Sequence, residues 1–290
     1  MKDFLLLTDS SCDLPPELAQ ELGIEVLPLT VTVGRDSYKN YLDGREIGFH
    51  RFYERVLSGE NAVTAAVNMD AFINFMRPIA EKGTDILYLG FSSGLSGTVN
   101  AGAMAAKELM SEIPGANIKV VDTKCASMGQ GLCVYLTALQ KKAGKSFEEC
   151  YEYAEKTAPR CIHWFTVSDL FFLKRGGRVS ATTAVVGTML NIKPVLHVDD
   201  EGHLINMGKA RGRKASIKAI FDNIKEAADN HLKGQTVFIS HGDCLDDAKY
   251  LESMLLEAGA EKVVISYVGP VIGAHSGPGT LAVFALGDKR

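Results

Sequence analysis

The chain lacks most of the features that mark the easily recognised protein classes. Its six cysteines (Cys12, Cys125, Cys133, Cys150, Cys161 and Cys244) include no C-x-x-C pair, which argues against a zinc site, and no metal is expected. Six thiols dispersed over 290 residues are no disulfide framework, so free thiols in a reducing cytoplasm are expected. No apolar run approaches the roughly 18 residues of a membrane span. The run at residues 4–7 is too short for the core of a signal peptide. Basic charge is not in excess: the formal net charge is −4, which excludes the usual electrostatic footprint of a nucleic-acid binder. There is no G-x-x-x-x-G-K-[ST], hence no P-loop for ATP. Low-complexity linkers and internal repeats are absent as well.

What is present is a soluble-domain composition, 46% apolar and 23% charged, in a chain long enough for one large or two ordinary domains. Short apolar runs alternate with helical patterns. Residues 4–8 read as a strand ending at Asp9-Ser10-Ser11, and 15–22 as a helix with proline in its first turn and Gly23 past its end. Residues 24–33 read as one strand. Helices are expected over 47–57, 70–82, 98–110, 128–142 and 147–157, and strands over 85–89, 117–121 and 161–167. The pattern then changes. Residues 169–178 lead into a loop-like basic insert. Residues 192–198 and 203–208 flank Asp199-Asp200-Glu201-Gly202 as a hairpin. Helices over 216–232 and 245–258 and strands over 236–240, 263–268 and 281–285 complete the chain. The expected fold class is α/β with two α/β domains, residues 1–165 with a mainly parallel sheet and 166–290 with a mixed sheet. Ligands of such sheets bind beyond the carboxyl ends of the strands, and a cleft between domains is a frequent site.

Five segments carry candidate chemistry. Residues 90–98, G-F-S-S-G-L-S-G-T, follow a strand and open a helix, and offer Ser92, Ser93, Ser96 and Thr98 with unpaired helix N–H groups. Such hydroxyls cap helices, but four of them with three glycines suit an anion or carboxylate. The same stretch contains G-x-S-x-G, a nucleophile elbow, so a serine esterase built on Ser92 with His275 and Asp243 or Asp246 is the alternative; the upstream HGGG-type oxyanion segment is missing. His275 lies in a Gly/Pro-rich segment after a strand, a setting read as a functional turn rather than the apolar face of a helix. Arg175-Gly-Gly-Arg178 and Lys209-Ala-Arg-Gly-Arg-Lys214 are short basic loops able to dock an anion or an acidic surface. Thr64 is a polar residue in a small apolar stretch.

Thr8-Asp9-Ser10, Ser92-Ser93-Gly94-Leu95-Ser96-Gly97-Thr98, Leu173-Lys174-Arg175-Gly176-Gly177-Arg178, Ile192-Lys193-Pro194, Lys209-Ala210-Arg211-Gly212, and Gly269-Pro270 through His275-Ser276-Gly277-Pro278-Gly279 occur in one order along nearly the whole chain. In this ordered set the chain resembles the DegV family, bacterial fatty-acid-binding carrier subunits of fatty acid kinase. The resemblance implies a lipid tunnel between the two domains holding one long-chain fatty acid, with no other cofactor. It places the carboxylate on Thr64 and Ser93, with Ser92, Ser96 and His275 near. It implies a separate ATP-dependent kinase subunit that phosphorylates the bound acid, with Arg175, Arg211 and His275 beside the head group and the docking face. Stable membrane insertion is not implied. The family's T-S-Q-P is here Thr64-Ala65-Ala66-Val67.

Overall fold

The computed structural model describes residues 3–179, 191–228 and 232–290. Strands β1 (Phe4–Asp9), β2 (Ile24–Leu27), β6 (Asp85–Gly90) and β7 (Ile118–Asp122) form a wholly parallel sheet in the order β2-β1-β6-β7. The run Phe-Leu-Leu-Leu of β1 is nearly continuous apolar sequence because helices cover both faces of such a sheet. The C-terminal sheet is mixed and six-stranded, in the order β10-β9-β8-β13-β11-β12. It comprises β8 (Cys161–Thr166), β9 (Ile192–Val198), β10 (Leu204–Arg211), β11 (Thr236–His241), β12 (Lys262–Tyr267) and β13 (Leu281–Leu286), and only β11 and β12 pair parallel. β8 runs across the division drawn at residue 165 and pairs with β13 and β9.

One strand expected over 24–33 is in fact two. β2 stops at Leu27, before Pro28, which has no N–H for a ladder. The Leu29 N–H donates instead to Ser10 Oγ (3.0 Å), and the chain leaves for a third sheet. There β3 (Thr30–Val33) is flanked by β4 (Asp36–Lys39) and β5 (Ala62–Ala65), all antiparallel. Neither β4 nor β5 was expected. The helices α1 (Pro16–Glu21), α2 (Phe49–Leu57), α3 (Met69–Ala80), α4 (Thr98–Glu112), α5 (Met128–Lys142) and α6 (Phe147–Thr157) fall close to the expected positions. Two short helices, α7 (Phe171–Arg175) and α10 (Pro270–Ser276), occupy segments read as loops, while α8 (Arg213–Ala227) and α9 (Leu245–Glu257) were anticipated. Residues 229–231 of the helix expected over 216–232 lie outside the described residues.

Helix α5 lies between the two large sheets, touching β6 on one side and β8, β11 and β13 on the other. Its first turns are buried all round, as expected of a helix enclosed on every side. Two glycines permit this approach. A methyl at Gly129 would overlap the His163 ring of β8, and one at Gly131 would lie 2.6 Å from the Cys12 carbonyl oxygen below β1. Between them, Gln130 Nε2 donates to Thr8 Oγ1 (2.9 Å) and Asp9 Oδ2 (3.2 Å).

Two buried carboxyls fasten the loops at the carboxyl end of β1. Asp9 accepts from Tyr88 Oη (2.9 Å), the Phe91 N–H (3.2 Å) and the Ser11 N–H (3.1 Å). Asp13 accepts from Ser127 Oγ (2.5 Å) at the start of α5 and from the Gly269 N–H (3.0 Å) at the start of α10. Burial raises both pKa values, that of Asp13 to about 8. A raised folded-state pKa means that the stability from the neutral acid is complete at low pH and is lost as pH rises towards 8. The chain is therefore expected to lose stability between about pH 4 and about pH 8, and Asp13→Asn to flatten that slope. Denaturant midpoints measured across this range check it; equal slopes in both proteins would contradict it.

Candidate functional site

The carboxyl ends of the parallel strands, the third sheet, α10 and the C-terminal sheet enclose a cavity of about 200 Å³. Its walls are mostly apolar, with Leu29, Phe91, Phe165, Leu173, Val198 and Phe284 among them. At one end three expected residues converge. Thr64 stands in the middle of β5, opposite Val31 of β3. Its Oγ1 is 2.8 Å from His275 Nε2. Ser96, in the turn before α4, also lines this cavity, and its hydroxyl lies 2.9 Å from Thr98 Oγ1. The N-terminal end of α4 thus opens beside the cavity through Gly97, and the Thr98 N–H there donates to Ser96 Oγ (3.3 Å).

His275 is helical, contrary to the turn setting expected for it. Pro270 is preorganised for the first position of α10, Gly269 is extended before it, and Gly277 at φ 80° ends it. The helix turns Val271, Ile272, His275 and Ser276 to the cavity and Val271 and Ala274 into the core of the third sheet. Burial, and then the charges of Arg178 and Arg175, lower the His275 pKa to about 4, so the imidazole is neutral at pH 7. Its Nδ1 is buried with no hydrogen-bond partner among the described residues.

The ring is held in place by Gly176. A methyl there would overlap His275 Nδ1, although the backbone at Gly176 has an ordinary φ of −72°. Gly177 differs: it has open space around it and a φ of 72°, a conformation that favours glycine. The two glycines of the basic insert therefore serve space and backbone respectively.

The remaining expected residues lie elsewhere. Ser92 is fully buried, donates to the Gly202 carbonyl (2.9 Å) and accepts from the Gly94 N–H (3.1 Å). It ties the β9–β10 hairpin to the strand–helix turn. Ser93 accepts from Lys124 Nζ (2.8 Å). Neither serine is among the residues lining the cavity. The turn at residues 92–96 directs Ser93 towards Lys124 and leaves Ser96 as the serine of this stretch that lines the cavity. Arg175 is exposed and stacks over Phe171 and Phe172, and Arg211 is exposed at the end of β10. The insert's cation at the cavity is Arg178, which donates to the carbonyls of Leu95 (3.2 Å) and Gly176 and has its pKa lowered by burial. Arg178 was visible in the R-G-G-R motif. Ser127, Ser240 and His163, which also line the cavity, carried no signal in the sequence, and Ser276 was visible only within the segment around His275.

The esterase constellation is not assembled. The Ser92 hydroxyl is bonded to a backbone carbonyl, His275 faces Thr64, and Asp243 Oδ2 is 2.8 Å from His50 Nδ1. Asp246 sits in the first turn of α9. Among the described residues no group of three or more His, Cys, Asp or Glu could hold a metal, and no helix is long and apolar enough to cross a membrane.

Ser92 is expected to resist labelling by a fluorophosphonate, and Ser92→Ala to cost about 1 kcal/mol of stability by freeing the hairpin. Mass spectrometry of the treated protein and thermal denaturation check these; a labelled Ser92 would restore the nucleophile reading. The His275 imidazole is expected to stay neutral down to about pH 5, read from its proton chemical shifts.

The chain matches the model of the DegV family, described as an uncharacterised protein family, over residues 3–288. It is 43% identical to a DegV domain-containing protein of Clostridium perfringens over 291 residues, covering 100% of this chain and 99% of that one. Among solved structures it resembles a DegV family protein of Thermus thermophilus described as fatty acid binding, with a TM-score of 0.87, 31% identity and coverage of 98% and 99% of the two chains. It also resembles a DegV lipid binding protein of Thermotoga maritima, with a TM-score of 0.86, 28% identity and full coverage of both chains. With the family model spanning nearly its whole length, the chain belongs to the DegV family.

Proposed function

We propose that this protein binds a long-chain fatty acid in the cavity and presents its carboxylate to an ATP-dependent fatty acid kinase subunit. The observation that carries this reading is a largely apolar cavity with hydroxyls and a neutral imidazole at one end, in a chain similar to fatty-acid-binding proteins. Each buried methylene contributes roughly 0.8 kcal/mol, so about 14 of them supply on the order of 11 kcal/mol before association costs. The tail gives affinity. The hydroxyls of Thr64 and Ser96 and the ring of His275 orient the head group.

A neutral cradle suits a carboxylate that must react. Its oxygen attacks the γ-phosphorus of ATP held by the kinase, ADP leaves, and an acyl phosphate forms. A tight cationic clamp would stabilise the ground-state anion and oppose its conversion. Arg178, beside the head group, supports charge that develops in the transition state. Arg175 and Arg211, exposed outside the cavity, are assigned to the docking face for the kinase. This chain supplies no nucleophile of its own.

Solvent extraction of the purified protein followed by mass spectrometry is expected to release a fatty acid. Thr64→Ala and Ser96→Ala are each expected to weaken oleate binding by about tenfold, the loss of one hydrogen bond to a charged group. An empty extract with no binding of added oleate or palmitate would refute the reading, and unchanged affinity in both variants would refute the site.

A further inference from the structure

A methylene chain needs no polar partner, yet the cavity has a second polar region away from the Thr64–His275 end. Ser127 Oγ bonds Asp13 Oδ2 (2.5 Å), and Ser127 and Ser240 hydroxyls are 3.0 Å apart. Both serines line the cavity, and Asp13, Ser127 and Ser240 are all at least nine-tenths buried. The two polar regions are set apart by α10. Asp13 holds the Gly269 N–H at the start of that helix, whereas His275 lies six residues on, about 9 Å along the axis at 1.5 Å per residue. Val271 and Ile272 of the same helix line the cavity between them.

We propose that Asp13, Ser127 and Ser240 form a subsite for a hydroxyl carried on the acyl chain, so that the preferred ligand class includes oxygenated fatty acids. This rests on the fatty-acid reading above. Counting hydrogens shows what the network can offer. Three oxygens in a row make two contacts, Asp13 to Ser127 and Ser127 to Ser240. With Asp13 neutral, the carboxyl and two hydroxyls hold three hydrogens, and two contacts use two of them. One remains, and no hydrogen bond of the Ser240 hydroxyl other than that to Ser127 is recorded among the described residues. Burial of Asp13 keeps it in that neutral form at pH 7. A ligand hydroxyl can donate to a free Ser240 lone pair, and where the neutral Asp13 donates to Ser127 and Ser127 to Ser240, the spare hydrogen lies on Ser240 for the ligand to accept. Hydrogen bonding at the buried Ser240 distinguishes such a chain from its plain parent, because a buried group left unpaired is costly.

The test compares stearate with a positional series of monohydroxystearates, from mid-chain to the methyl end, by displacement of a fluorescent fatty acid. One position is expected to bind about threefold to tenfold more tightly than stearate, with its neighbours weaker. Ser240→Ala is expected to remove that preference, read as the ratio of the two affinities in the same variant. Should Ser240→Ala fold poorly, Ser127→Ala and the wild-type series provide the same readout. A series in which every hydroxystearate binds more weakly than stearate would overturn the subsite, as would a preference that survives Ser240→Ala. Failure of stearate and the whole series alike would overturn the fatty-acid reading instead.

Discussion

The closeness of α5 to both large sheets is the constraint on which the other features rest. Its two glycines let His163 of the mixed sheet and the Cys12 backbone below the parallel sheet approach the same helix from opposite sides. Side chains there would push the sheets apart, since cores pack to near-crystalline density and do not absorb an extra methyl. The separation of the sheets sets the width of the cavity. The start of α5 also carries Ser127 in a positive-φ conformation (51°), held by its bond to Asp13. The helix is therefore the spacer between the two large sheets, and its cap residue Ser127 lines the cavity.

The cavity manages charge by neutralising it. Burial lowers His275 to about 4 and raises Asp13 to about 8, so at pH 7 an imidazole and a carboxyl that would be ionic in water are both uncharged. Burial acts in opposite directions on the two because it disfavours the charged form in each case. Arg178, half-buried and partnered by two carbonyls, is left to balance an incoming anion. Apolar side chains such as Leu29, Phe91 and Phe165 form much of the remaining wall.

Much of the architecture could be read from the chain. The alternation of apolar runs and helical periods is local information, and it located both large sheets and eight helices close to their observed bounds. What escaped depended on distant partners. β5 is four residues of small or polar character, and only pairing with β3 makes it a strand. Pro28 split an apparently continuous strand by sending its halves to different sheets. α10 was concealed by its Gly and Pro content, although proline at the first helical position is a helix-start signal. Within the site, His275 stood out by its own setting and Thr64 through a resemblance, and the two are neighbours. That Ser96 and not Ser93 lines the cavity could not have been read, because the direction of a hydroxyl in a tight turn is set by backbone torsions. Ser127 and Ser240 are ordinary serines until the fold brings them together.

The fit of His275 against Gly176 ties two positions far apart in the chain to a common history. The backbone torsion at 176 suits any residue, so glycine is called for there by space, chiefly that taken by the ring. A lineage that keeps the imidazole in this pose is confined to glycine at 176, and one that replaces the imidazole is released from it. Gly177 is under no such bond, since its torsion demands glycine whatever stands at 275. The doubled glycine of the basic insert thus answers two separate physical demands, only one of which depends on His275.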